Sequence, residues 1–187
     1  MRTSQHGIDL IKKYEGCKLT AYRLSGEKFN TIGYGHYGSD VTDGMVITQA
    51  RAEELLRDDL LKFESAVSKT DLDLTQNSFD ALVSFAYNCG QGNLLRLVRN
   101  RTQKEIANTI LAYNKSNGKV LSGLTKRRKE ESELFISGIK PVSTVAKEVL
   151  DGLWDAGTRR KHRLVAAGYD YKEVQNEVNR IIAEDDE

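Results

Sequence analysis

Glu15 closes the segment SQHGIDLIKKYEG, residues 4–16, whose apolar spacing is helical. At about 100° per residue, Ile8, Leu10, Ile11 and Tyr14 fill one arc, while Asp9, Lys12 and Lys13 fill the opposite one. Glu15 falls inside the apolar arc, and Gly16 follows as the expected C-cap. Burial and a helix C-terminus both disfavour a carboxylate's charge. A carboxyl that keeps its proton at neutral pH is what a general acid needs. The alternative is a terminal Glu that frays and turns to solvent.

The next chemistry-bearing stretch is FNTIGYGHYG, residues 29–38. Strand alternation puts Thr31, Gly33 and Gly35 on one face. Repeated glycine there suggests close approach by a ligand, and a long polymer lying across the hairpin fits. A bulged or sharply bent hairpin is the other explanation. Tyr22, Tyr34 and Tyr37 could stack on sugar rings or pack across strands. A second chemistry, a cysteine peptidase or amidase, would use Cys17 or Cys89 with His36. Both thiols sit at apolar helix ends, where inert buried cysteine is common. The cysteines have no metal spacing, and His6, His36 and His162 form no zinc motif, so neither metal nor cofactor is expected.

Several elements must position these groups. After the hairpin and the loop GSDVTDGMV, a helix starts at Thr48 as N-cap, with Ala52, Leu56, Leu60, Phe63 and Val67 on one face. LTQNSFDALVSFAYNCG predicts a second and most buried helix ending at Gly90. TQKEIANTILAYN predicts a third on Ile106, Ile110 and Tyr113, SNGK a turn, and LTKRRKEESELFISG a last one ending at Gly138. One small sheet followed by helices implies an α+β domain with a cleft between a sheet lobe and a helical lobe. Pro141, the only proline, lies in GIKPVST and marks a boundary near 139–143. The remainder predicts three short helices cored by Val145, Val149, Leu150, Leu164, Tyr169, Val174, Val178 and Ile181, with AEDDE fraying at the end. A module of some forty residues suits binding better than catalysis.

The quoted residues resemble a known family. YEGCKLTAYR…TIGYGHYG is similar to the signature of phage-type lysozymes, glycoside hydrolase family 24. FDALVSFAYNCGQG and GLTKRRKEESELF resemble that family's next two segments, in the family's order, over residues 4–138. The resemblance implies a muramidase that cuts the β-1,4 bond between N-acetylmuramic acid and N-acetylglucosamine in peptidoglycan. It makes Glu15 the catalytic acid and Thr31 the residue that positions water or sugar. It puts Asn88, with Tyr34 and His36, along the cleft, and brings Arg127 or Arg128 toward the acid. The family's second carboxylate position falls on Leu24, and the hairpin is one residue longer. Glycoside hydrolysis usually needs two carboxyls. Glu27 and Asp40 are the nearby acids, and Asp40 is preferred because Glu27 sits at an exposed turn.

The tail, VAKEVLDGLWDAGTRRKHRLVAAGYDYKEVQNEVN, resembles one copy of the wall-binding repeat found in streptococcal-phage lysozymes. This implies muropeptide recognition, with Trp154, Arg160, Arg163 and Asp170 as contacts. Trp154 could equally plug the small core, and Arg163 could pair with Asp170. The expected organisation is a lysozyme-like domain over 1–139 and a linker with a three-helix wall-binding repeat over 140–187.

Net charge is +1, which gives no basic field of the kind a nucleic-acid binder carries. No apolar run reaches membrane-spanning length, and MRTSQHGIDL lacks a signal-peptide core. The resemblance therefore implies an endolysin held in the host cytoplasm until a phage membrane pore releases it to the wall. A wall-binding protein with a lysozyme-like part that has lost activity is the non-enzyme alternative.

Overall fold

The computed structural model describes residues 1–185. α1 (Gln5–Glu15) starts at Ser4, whose Oγ accepts from the Gly7 amide, and stops at Gly16, whose amide donates to Lys12 O. Its start is clamped from outside. Buried Asp80 accepts from the Ser4 amide at 2.9 Å, and buried Glu64 accepts from the amide and hydroxyl of Thr3. The far end of α1, which carries Glu15, is therefore aimed from a fixed origin.

β1 (Lys18–Tyr22), β2 (Asn30–Gly33) and β3 (His36–Gly38) form an antiparallel meander in that order. Thr31 faces Tyr37 on one side and Tyr22 on the other, and Ile32 pairs with His36. Gly33 and Gly35 both have positive φ, +64° and +102°. A side chain would be strained at either position. The glycines thus make a sharply bent turn rather than a smooth open strand, and Gly33 is buried against Ala52.

α2 (Gln49–Ser68) is capped by Thr48, and α3 (Gln76–Cys89) by Thr75. Residues Ser78 to Ala86 of α3 are all buried. Burial of their polar groups is compensated, as it must be: Ser78 donates to Phe135 O at 2.7 Å and Ser84 to Glu131 Oε1 at 2.7 Å. The chain then turns at Gly90 into α4 (Gln91–Val98), which the sequence reading lacks because two turns on Leu94 and Leu97 give little period to detect. α5 (Gln103–Ile110) carries a full capping box and ends before the expected Asn114. A two-residue ribbon, β4 (Lys115–Ser116) and β5 (Lys119–Val120), precedes α6 (Ser122–Ser137).

The tail folds as α7 (Val142–Leu150), α8 (Gly157–Ala166) and α9 (Tyr171–Asp185). Its separate core holds Val145, Ala146, Val149, Leu164, Val174 and Val178, with Tyr169 and Ile181 packed against it. Leu150 is corrected to an exposed position at the end of α7. The fraying expected at 183–187 is corrected as far as Asp185, which ends α9; Asp186 and Glu187 lie outside the described residues. The two cores meet at a hydrogen-bonded seam. The Asp73 amide donates to Ala166 O at 2.8 Å, Gln103 Nε2 to Ala167 O at 2.8 Å, and Tyr169 Oη to Lys140 O at 3.2 Å.

Candidate active site

A cavity of about 360 Å³ opens between the sheet and the helices, lined by Glu15, Gly35, Tyr37, Asp59, Lys62, Phe63, Tyr87 and Asn88. Glu15 comes from the end of α1, Asp59, Lys62 and Phe63 from α2, and Tyr87 and Asn88 from the end of α3. These six come from helices packed into the hydrophobic core, and Gly35 and Tyr37 come from the hairpin opposite.

Glu15 is not enclosed by apolar side chains as its helical position suggested. Arg127 Nη1 donates to its Oε1 at 2.6 Å, and the Glu15 side chain is 23% exposed. Oε1 is thus held by Arg127, no hydrogen bond to Oε2 is made among the described residues, and the Glu15 side chain lines the cavity. Arg127 is itself oriented from behind. Its Nε donates to Glu131 Oε1 at 3.0 Å and its Nη2 to Ser84 O at 3.2 Å. Glu131 is fully buried and also takes Arg128 Nη2 at 2.9 Å. Of the two candidate arginines, Arg127 reaches the acid. Arg128 is fully buried over the Phe85 ring and cannot touch a sugar directly. It reaches the cavity through Asn88, whose Oδ1 accepts from Arg128 Nη1 at 3.0 Å. That leaves the Asn88 amide hydrogens to donate outward.

The expected second carboxylates stand elsewhere. Glu27 accepts from the Leu24 amide at 3.3 Å and stabilises its own turn. Asp40 does not line the cavity; its side chain is 65% exposed and bonds His36 Nε2 at 2.9 Å. The other ring nitrogen, Nδ1, meets Asp59 Oδ2 at 2.9 Å, and Asp59 does line the cavity. Sequence reasoning missed Asp59. The signal was present: on α2 it falls about 20° from Ala52 and about 40° from Phe63, inside the apolar arc.

His36 is therefore a clasp between the hairpin and α2. Burial lowers its pKa, but hydrogen bonds to Asp40 and Asp59 outweigh that and raise it above 6.5. A raised folded-state value means that the stabilisation is complete below about pH 6.5 and is lost as pH rises through the folded value. His36→Asn should cost about 1.5–3 kcal/mol in acid and progressively less above neutrality. Urea unfolding of both proteins across that range checks it. A gap that widens with pH would refute the clasp.

Thr31 is buried on β2 and is absent from the cavity wall. Tyr34 is corrected to a core position: it is 5% exposed, with its hydroxyl bonded by Gln49 Nε2 at 2.6 Å and its carbonyl by Tyr87 Oη at 2.9 Å. Exposed Tyr37 is the hairpin tyrosine that offers a ring at the cavity mouth. Burial pushes the Tyr87 phenol up, and the charges of Asp59 and Glu15, which line the same cavity, add to the shift. Cys17 is exposed rather than buried. Cys89 is half-buried, with its thiol pushed up by burial, and His36 faces two aspartates. A Cys–His nucleophile pair is therefore not assembled.

In the tail, Trp154 Nε1 donates to Glu148 Oε2 at 2.9 Å, and the ring packs edge-on against Tyr169 while Arg163 lies over its face. Arg163 pairs with Asp155 at 2.7 Å and not with Asp170. Asp170 instead accepts from the amides of Lys172 and Glu173 at the start of α9, and Arg160 donates to Asp155 O.

Comparison with known proteins agrees with this architecture. Residues 12–131 match the family model for phage lysozyme, and residues 143–182 match that for the CW_7 repeat. The endolysin of Bacillus phage B103 is 50% identical over 145 residues, which cover 74% of this chain and 55% of that protein. The chain thus spans about half the length of that relative. The endolysin of Lactococcus phage c2 is 38% identical over 189 residues, covering 94% of this chain and 81% of that one. Among solved structures, the muramidase domain of SpmX from Asticaccaulis excentricus superposes with a TM-score of 0.66 at 36% identity, covering 75% of this chain and 99% of that one. Family model and relatives agree with one another, and the chain belongs to the phage lysozyme family.

Proposed function

We propose that this protein is an endolysin whose residues 1–139 hydrolyse the β-1,4 bond between N-acetylmuramic acid and N-acetylglucosamine, and whose residues 140–187 anchor it to the bacterial wall. The observation that carries the reading is Glu15, held through Oε1 by Arg127 in the wall of a cleft. Glu15 gives its proton to the leaving glycosidic oxygen as general acid. Asn88, Lys62 and Tyr37 supply donors and a ring for sugar hydroxyl and acetamido groups. Thr31, buried on β2 and outside the cavity wall, acts on the water or sugar only through the hairpin it helps to hold. The relatives' names, the CW_7 match and the CW-type tail support wall recognition, with Trp154, Arg160, Arg163 and Asp170 as its contact region.

No helix among the described residues is long and apolar enough to cross a membrane. The accompanying proposal is a stage in the host cytoplasm and release through a phage pore. The direct test of the function is digestion of purified walls. Clearing should come with release of reducing sugar and without release of free amines. Amines without sugar would make it a peptidase or amidase, and no clearing would leave only an inactive wall binder.

The second charge is ranked by the cavity. Asp59 lines it, Asp40 is linked to it through His36, and Glu27 is away from it. Asp59→Asn should lower turnover about 10-fold or more, Asp40→Asn less, and Glu27→Gln hardly at all. Each rate must be measured well below the variant's melting temperature, because Asp59 also holds His36. Greater loss in Asp40→Asn than in Asp59→Asn would return the role to Asp40.

A further inference from the structure

The last three residues of α1 all reach α6. Lys13 Nζ meets Glu130 Oε1 at 2.6 Å, and Glu15 Oε1 accepts from Arg127 Nη1 at 2.6 Å. Between them, the Tyr14 ring lies against the Arg127 guanidinium, with Cζ 5.5 Å from the ring centroid. That is within the roughly 6 Å over which a cation and an aromatic face attract. The Arg127 side chain is 3% exposed, so little water competes for this face.

The hydrogen bonds of Arg127 leave from the edges of its planar group. Nε donates to Glu131, Nη1 to Glu15 and Nη2 to Ser84 O. Edge bonds fix a guanidinium within its plane and resist tipping out of that plane only weakly. Tipping would carry Nη1 off Glu15. Consecutive helical residues point about 100° apart. Glu15 can therefore take the edge of the guanidinium while Tyr14, one residue earlier, takes its face. The Tyr14 hydroxyl is buried and has no hydrogen-bond partner of good geometry among the described residues. Burial first, and then Glu130, push the phenol up to about 12, so it is neutral at neutral pH. What Tyr14 offers Arg127 is its ring.

We propose that Tyr14 is a positioning residue for wall cleavage: its ring holds the Arg127 guanidinium flat and so aims the Glu15 carboxyl. The proposal rests on the muramidase reading above and adds a residue to it.

The test is steady-state hydrolysis of soluble wall fragments by the full chain, well below each variant's melting temperature. Tyr14→Leu removes the ring and keeps apolar bulk. It should lower kcat about 3–30-fold, the range such a contact is worth, with KM little changed. Tyr14→Phe should recover most of that loss and melt no lower than the parent, because the hydroxyl it removes is unpartnered. Phenylalanines carrying one, two and three ring fluorines at position 14 should lower kcat stepwise. Fluorine drains the negative ring face while nearly keeping its shape, so a packing role would not respond. In an Arg127→Gln background, Tyr14→Leu should cost less than about twofold more. If that background does not fold, the fluorine series decides alone. A Tyr14→Leu rate within about twofold of the parent, Tyr14→Phe as slow as Tyr14→Leu, a flat fluorine series, or an undiminished loss without Arg127 would each overturn the proposal. Exchange of the Arg127 Nε–H with water, followed by NMR, needs no turnover. It should quicken several-fold in Tyr14→Leu and not in Tyr14→Phe. A parent that releases no reducing sugar would remove the muramidase reading, and this exchange would still decide whether the ring holds Arg127.

Discussion

Glu15→Gln should fold like the parent and clear walls about 10²–10⁴-fold more slowly. Glutamine keeps the size of the side chain and can still offer an oxygen to Arg127 Nη1, so the cleft stays shaped. What it lacks is a labile proton for the leaving oxygen. The loss should appear in turnover rather than in binding, because an interaction made only in the transition state lowers kcat and kcat/KM together. Circular dichroism and thermal melting establish that the variant is folded, and reducing-sugar release gives the rate. If the folded variant retains more than half of the parental activity, Glu15 is not the acid.

The second large effect is expected in stability. Glu131→Gln should cost about 3–5 kcal/mol, a large share of the ~5–15 kcal/mol that a domain has. Arg127 and Arg128 are both buried, with Glu131 between them and Glu15 at the cavity edge, so two positive charges balance two negative ones. Removing the inner carboxylate leaves two buried guanidiniums sharing Glu15. The hydroxyl of Ser84 also loses its charged acceptor. Urea unfolding reads the loss directly, and a change below about 1 kcal/mol would show that water or a neighbour replaces the charge. Activity should fall even where the variant is still folded, since Arg127 loses what orients it.

The sequence made the local features legible and hid the distant ones. Ser4, Thr48 and Gly16 act within a turn of where they stand, so caps and periods placed α1 and α2 correctly. The three family segments identified the lysozyme fold because each is contiguous. The helical period marks Asp59 as inward-facing, but its pairing with His36, 23 residues away on another element, is not legible in the sequence. Asp40 lies near the hairpin in sequence, but in space it stands outside the cavity and is linked to it through His36. Arg127 and Arg128 could not be told apart, since adjacent helical residues point about 100° apart and only packing decides which faces the cleft. Asp170 looked like a partner for Arg163, but a short polar residue before a helix bonds the amides that follow it.

The pairing of Glu15 with Arg127 joins residues 112 apart, and that of Lys13 with Glu130 joins residues 117 apart. Contacts of such separation cannot form until most of the chain exists, and closing so large a loop is slow. During synthesis the N-terminal acid leaves the ribosome long before α6 does. For that interval the nascent chain carries Glu15 without the guanidinium that orients it. Fragments from interrupted translation, or from cleavage before α6, would carry the acid and hairpin but no assembled cleft. The site at Glu15 is thus completed in one late step, when α6 docks and Arg127 reaches the acid.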